Sequence, residues 1–257
     1  MKRVVLSILA LVLMCTPAIS AQELTGREIL DRLNFSTILS GSGSAQITMI
    51  TENAKGAQRS YSLQVYVRMD EEEGDAQFLE YLAPADVRGT KFLSLRPKDG
   101  ESQMWLYLPA LGRERRIAAH MTGDSFMGTD FTYDEIGGNF GYEDDYAAER
   151  LPDQVEQGLD CYVLELTAAG PGALYPKVRM WVWKEEMVPV KMEFHASGDT
   201  LAKTLTLSRF QLVSGELIPH YVVMANNIQG TRTILELAQV SQDEVDPEIF
   251  TVRNLRR

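Results

Sequence analysis

Cysteine is nearly absent from this sequence. The 257 residues include two, Cys15 and Cys161. Cys15 falls in an apolar leader, so the exported chain would keep Cys161 alone. No internal disulfide is then available, although exported proteins meet an oxidising compartment. Stability has to come from a core. Cys161, in LDCYVLEL, reads as a buried strand residue and not as a reactive thiol. Long apolar runs are also missing after the leader. None approaches the roughly 20 residues of a membrane-spanning helix.

Histidine is scarce. His120, His195 and His220 lie in separate stretches, without HExxH or any other metal-ligand spacing. No Gly-rich phosphate loop occurs. GSGSA, residues 41–45, is not a G-x-S-x-G nucleophile elbow, and the chain lacks the strand–helix alternation that elbow needs. No cofactor is implied. Ser125, close in sequence to His120 and Asp124, can be drawn as a hydrolase triad, which Ser125→Ala would disable. Such local proximity is common by chance. Asp144 and Asp145 read as solvated.

Positive charge is in deficit too. The formal net charge is −11. Residues 1–21 read as a secretory signal peptide: Lys2 and Arg3, then the apolar VVLSILALVLM, then PAISA with cleavage after Ala21 or one residue earlier. Removing Lys2 and Arg3, and no acid, takes −11 to −13. Met14 stands where a lipobox needs a small residue, so Cys15 is read as discarded and not lipidated. A chain this acidic does not seek nucleic acid through bulk attraction. The expected product is a soluble, exported chain, residues 22–257, forming one domain.

Hydrophobicity is ordinary, at 45% of residues, and its period is informative. TGREILDRLN opens with Thr25 and Glu28 at capping-box spacing, followed by an apolar stripe of Ile29, Leu30 and Leu33. After this short helix the period becomes two. SLQVYVRM puts Leu63, Val65, Val67 and Met69 on one face. QMWLYLP, KVRMWVW, VPVKMEFHA, LAKTLTLSRF and GTRTILELAQV alternate similarly, with turn signals at EEEGD, RPKDGES, ASGD and VSGE. The result expected is one large, mostly antiparallel sheet. Residues 142–158, the most polar connection, are expected to form a partial helix and a loop.

Several strands are apolar on both faces. Met104, Leu106 and Leu108 oppose Trp105 and Tyr107; Val178, Met180 and Val182 oppose Trp181 and Trp183. A half-solvated sheet would be polar on one face, so something must cover the second face. A candidate is DSFMGTDFTYDEI, residues 124–136, a loop-like segment carrying Phe126, Met127, Phe131 and Tyr133.

LEYLAPADVRGTKFLSL, MWLYLPALGRERRI, SFMGTDFTYDEI, KTLTLSRFQLVSGELIPHYVVMANNIQGTRTILEL and the closing FTVRNLRR resemble the outer membrane lipoprotein-sorting family, in the LolA/LolB-like superfamily. The resemblance implies an incomplete, strongly curved antiparallel barrel of roughly eleven strands. A helix and loop lid would cover a hydrophobic cavity, and residues 124–136 would belong to that lid or its rim. It also implies a non-enzymatic carrier or chaperone that binds acyl chains of lipoproteins or lipids for transfer towards the outer membrane. The partners would be that cargo and an inner-membrane transporter, with the resistance-nodulation-division (RND) type as a candidate. The alternatives are an accessory subunit of an RND exporter that carries no cargo, and a lipid hydrolase.

An acyl chain gains about 0.8 kcal/mol per buried CH₂, and Met and aromatic walls suit it. The cavity candidates are Trp105, Tyr107, Phe126, Met127, Phe131, Tyr133, Trp181 and Trp183. The bland alternative for each is core packing. Arg113, Arg115 and Arg116, the one basic cluster, are candidates for headgroup or partner contact, against the plainer reading of a solvated hairpin end. Phe131→Asp is expected to abolish acyl binding and leave the fold intact, because the residue is placed on a lid and not in the sheet.

Overall fold

The computed structural model describes residues 23–33, 41–70, 72–138, 146–170 and 173–257. The leader, Asp144 and Asp145 lie outside the described residues. Among those described, no helix is long and apolar enough to cross a membrane.

The opening helix α1 (Gly26–Leu30) forms where the capping box places it. The Glu28 N–H donates to Thr25 Oγ1 at 3.2 Å, and the Thr25 N–H donates to Glu28 Oε2 at 2.8 Å. Ile29 and Leu30 are buried.

Thirteen strands follow among the described residues. The first six are β1 (Gly43–Glu52), β2 (Gln58–Arg68), β3 (Asp75–Ala83), β4 (Lys91–Arg96), β5 (Gln103–Leu108) and β6 (Arg113–Ile117). The other seven are β7 (Tyr146–Glu156), β8 (Leu159–Ala168), β9 (Lys177–Trp183), β10 (Val188–Ala196), β11 (Thr200–Val213), β12 (Glu216–Asn226) and β13 (Thr231–Ser241). All neighbours pair antiparallel, in the order β6-β5-β4-β3-β2-β1-β13-β12-β11-β10-β9-β8-β7. Two meanders are thus joined back to back through β1 and β13, and the sheet stays open at β6 and β7. There are two more strands than the family resemblance suggested.

The sheet curls. Ile117 of β6 and Leu164 of β8, from opposite ends of the strand order, share one core with Leu63, Met192 and Val222. Register shifts in the β1/β13, β2/β3, β7/β8, β9/β10 and β10/β11 pairs mark bulges, which add local bend and twist.

The polar connection corrects an expectation. Residues 146–156 are not a helix and loop but β7, an edge strand turning into β8 at Gln157 and Gly158. Most of its residues are exposed or half-buried. A strand with solvent along one edge and over much of both faces carries no alternating apolar signature. Helix α1 packs on β7 through Gly26: a Cβ there would lie 2.6 Å from the Ala148 carbonyl oxygen and 2.8 Å from the Arg150 nitrogen. Gly26→Ala should therefore lower stability by about 1–3 kcal/mol, read from the denaturant midpoint. An unchanged midpoint would mean that α1 does not dock this way in solution.

Both sheet faces are covered, as the two-sided apolar strands require. On the outer face of β3 to β5, Phe78, Leu93, Trp105 and Tyr107 pack under Phe250 and Leu255 of two closing 3₁₀ turns, Pro247–Phe250 and Val252–Arg256. On the outer face of the other arm, Cys161, Val163, Trp181 and Val190 cluster with Leu151, Trp183 and Phe210. Cys161 is fully buried, and burial pushes its thiol pKa up.

The closing turns are clasped by Arg256, whose Nε donates to Glu114 Oε2 at 2.8 Å. That guanidinium, helped by a backbone hydrogen bond, holds Glu114 down at about 2 from an ordinary 4.5. A lowered carboxylate pKa contributes stability above the unfolded value and loses it as pH falls through the folded one. Protection of the amides in residues 247–257 should therefore keep the clasp's full contribution between pH 7 and about 4.5, and should lose it as pH approaches 2. Opening already complete at pH 4 would show that the clasp is not made.

Candidate functional site

The chain leaves β6 at one sheet edge and enters β7 at the other. Residues 118–138 lie between, and their middle is a small hairpin. The Phe126 N–H donates to the Phe131 carbonyl at 2.8 Å, and Ser125 and Thr132 form an isolated bridge. The Thr129 N–H closes the turn on the Phe126 carbonyl at 2.9 Å. Met127 and Gly128 both have positive φ, 50° and 78°, the pattern of a type I′ turn. One helical turn, α2 (Tyr133–Ile136), follows with its own capping box: the Glu135 N–H donates to Thr132 Oγ1, and the Thr132 N–H donates to Glu135 Oε2 at 2.7 Å.

This segment is two-sided. Phe126 and Phe131 are 0% and 1% exposed, and Tyr133 and Ile136 are buried beside them in the main core. Phe126 meets Phe92 of β4 edge-on at 5.2 Å and Tyr133 at 5.3 Å, with Phe92 and Tyr133 6.0 Å apart. Full burial of such side chains is worth about 1.5–3 kcal/mol each. Gly123, Asp124, Ser125 and Gly128 face solvent.

Side-chain contacts pin the segment to the sheet. Asp130 is buried, and its carboxylate accepts from the hydroxyls of Thr231 and Thr233, the latter at 2.7 Å. The Asp130 N–H donates to Thr233 Oγ1 at 2.9 Å. Glu135, also buried, accepts from the Tyr175 hydroxyl at 3.2 Å and from Lys203 Nζ at 3.4 Å. Burial first, and then the Glu135 charge, push the Tyr175 phenol pKa up. On the opposite arm, Ser94 Oγ and the Arg96 guanidinium donate to the carbonyls of Gly137 and Gly138.

Beside the hairpin opens a cleft of about 850 Å³, lined by hairpin residues including Thr129 and Asp130 and by the strand turns at that end of the sheet, among them Arg59, Lys203 and Asn226. Leu174 and Ile228, both exposed, line it as well. Polar residues predominate in the lining.

The eight cavity candidates do not come together. Phe126, Phe131 and Tyr133 meet on the inner face, with Met127 half-buried against the same core. Trp105 and Tyr107 lie on the outer face under the closing turns, and Trp181 and Trp183 lie on the outer face of the other arm. None of the eight lines the cleft. Inward from those two strands point Met104 and Leu106, and Met180 and Val182. Arg113, Arg115 and Arg116 are exposed on the edge strand β6, with Arg116 over the Trp105 ring at 5.9 Å and Arg115 Nη2 3.5 Å from Met121 Sδ. Ser125 Oγ donates to the Thr129 carbonyl at 2.6 Å. A carbonyl is no base for an attacking hydroxyl, so the triad geometry is not made.

The sequence alone assigns no role to Asp130, Thr231, Thr233, Glu135 or Lys203. TYDE at 132–135 repeats the capping-box spacing of Thr25 and Glu28, and that signal was there to be read. The Asp130 pairings span more than a hundred residues and leave no local trace.

A family model described as uncharacterized protein matches residues 73–257. No curated protein matches the chain. Among solved structures, a domain from Vibrio parahaemolyticus described as outer membrane lipoprotein-sorting is 29% identical, covers 90% of this chain and 98% of its own, and superposes with a TM-score of 0.81. A DUF1329 family protein from Desulfovibrio piger is 24% identical over 90% of this chain and 97% of its own, with a TM-score of 0.79. A LolA superfamily protein from Nitrosomonas europaea is 24% identical over 89% and 98%, with a TM-score of 0.67.

Proposed function

We propose that this chain, which is similar over 90% of its length to an outer membrane lipoprotein-sorting domain, is a periplasmic, non-enzymatic carrier or chaperone. Its cargo is the acyl chains of lipoproteins or lipids, moved towards the outer membrane. The observation that carries this reading is the construction of the lid. Residues 124–136 seat three aromatic rings in the core of an open barrel, yet hydrogen-bond to the sheet chiefly through side chains. Lifting the segment would uncover an apolar trough walled by Phe92, Met104, Leu106 and Met180. An acyl chain entering there would replace the lid's contacts with its own, at about 0.8 kcal/mol per CH₂. An inner-membrane transporter, with the RND type as candidate, would supply the lid opening. Arg113 and Arg115, exposed on the edge strand, would meet a lipid phosphate or an acidic partner.

One observation favours the second reading, an exporter accessory subunit without cargo: Phe126, Phe131 and Tyr133 already occupy the inner face. The two separate in one experiment. The chain from Gln22 onward is purified gently from a periplasm, and its organic extract is examined by mass spectrometry. A stoichiometric lipid or acylated peptide supports the carrier and names its cargo. An empty extract, together with no binding of an added fluorescent fatty acid, supports the accessory subunit.

A further inference from the structure

Tyr81 of β3 is 1% exposed, in the main core, and its hydroxyl has no hydrogen-bond partner among the described residues. Burying a hydroxyl without a partner costs it its bonds to water and gives none in exchange. Phenylalanine would fill the same space without that loss. The position is specific. Leu79, the preceding inner-face residue of β3, pairs with Phe92, whose ring holds the lid's Phe126. On the neighbouring strand the inner face runs from exposed Arg59 through half-buried Tyr61 to buried Leu63. The Tyr61 ring meets Tyr81 edge-on at 5.8 Å, and Arg59 stands over Tyr61 at 5.2 Å. Arg59 lines the polar cleft. Tyr81 therefore sits where the apolar interior gives way to the cleft.

Resting on the carrier reading, we infer that the Tyr81 hydroxyl is the donor that recognises the carbonyl of an ester- or amide-linked acyl chain once the lid lifts. The chain would lie in the trough that Phe126 and Tyr133 vacate, the carbonyl at Tyr81, and the headgroup or peptide in the cleft beside Arg59. A bare hydrocarbon would leave the hydroxyl unpaired, so the site selects acyl over alkyl cargo. Burial pushes the Tyr81 phenol pKa up, with the neighbouring Tyr61 and Tyr133 phenols adding to it, so it remains a donor at any pH the protein meets.

The test compares 1-palmitoyl lysophosphatidylcholine with its 1-O-hexadecyl ether analogue, which lacks the carbonyl, by titration calorimetry on the full mature chain. The wild type is expected to prefer the ester roughly fivefold, the worth of one neutral hydrogen bond. In Tyr81→Phe the ester-to-ether ratio should fall to about one. The thermal midpoint should not drop, because the closed state loses no hydrogen bond. A short peptide with an amide-linked palmitoyl chain distinguishes the source: weaker binding in Tyr81→Phe points to acylated protein, whereas an effect confined to the ester points to lipid. A wild type that binds ester and ether alike, or a ratio that survives Tyr81→Phe, overturns the inference and leaves the carrier standing. Failure of every probe to bind the wild type overturns both.

Discussion

Phe131→Asp is expected to destabilise the protein by more than about 4 kcal/mol, and so to lower the thermal midpoint by roughly 10 °C or more. The sequence-based expectation was a folded protein that merely lost cargo binding. The burial decides otherwise. Phe131 is 1% exposed, in one core with Phe126, Tyr133 and the inward residues of both sheet arms. Removing a buried phenyl ring alone costs about 3–5 kcal/mol. A carboxylate left there unpaired adds a desolvation cost that only protonation or exposure relieves. Exposure means lifting the hairpin, and that sets a ceiling: the loss cannot exceed what lid opening costs. Phe126, Phe131, Tyr133 and Ile136 leave the core together in that event, about 6–12 kcal/mol of burial, so the ceiling stands above the predicted loss. Any protein that remains folded should bind a hydrophobic dye, because its trough is uncovered. Phe131→Leu, which keeps an apolar group of similar bulk, should cost less than about 1.5 kcal/mol. A loss below about 1 kcal/mol for Phe131→Asp would mean that the hairpin does not seat in the core in solution, and the carrier reading would lose its closed state.

The fold was largely legible because its signals are local. Alternation and turn residues placed β2, β5, β9, β10, β11 and β13, and the Thr25–Glu28 spacing placed α1. Two apolar faces on β5 and β9 required cover on both sides, and both faces are covered. Periodicity cannot say which of two apolar faces is concave. Trp105, Tyr107, Trp181 and Trp183 were assigned to the cavity on bulk and aromaticity, and the curl of the sheet puts their neighbours Met104, Leu106, Met180 and Val182 inside instead. The hairpin at 125–132 was obscured because its turn uses Met127 in a left-handed conformation, where glycine or asparagine is the usual mark. Edge strand β7 was obscured because solvent, not a core, dictates most of its side chains.

Asp130→Ala should unlatch the hairpin without unfolding the sheet. The carboxylate takes hydroxyl hydrogen bonds from Thr231 and Thr233, two residues on one face of β13. Hydrogen bonds to a charged acceptor are worth about 1.5–3 kcal/mol each. Against this stands the cost of burying the carboxylate, so the net loss is set at about 2–3 kcal/mol. That is roughly a 30- to 150-fold rise in the open-lid population. The aromatic rings still hold the hairpin down, so the closed form remains dominant and the effect is one of rate and population. Two readouts follow. Amide exchange at positions 130 and 131 should speed up by that factor, while the buried strand amides of β12 and β13 keep their protection. On the carrier reading, uptake of a fluorescent fatty acid should also quicken, since the trough would be reached by lifting the hairpin. Asp130→Asn, which keeps one acceptor oxygen of the same shape, should fall between the wild type and Asp130→Ala in both. Equal acceleration of lid and strand amides would show that the hairpin and the sheet open as one unit. A segment that cannot open by itself cannot admit cargo, and the accessory-subunit reading would then be the better one.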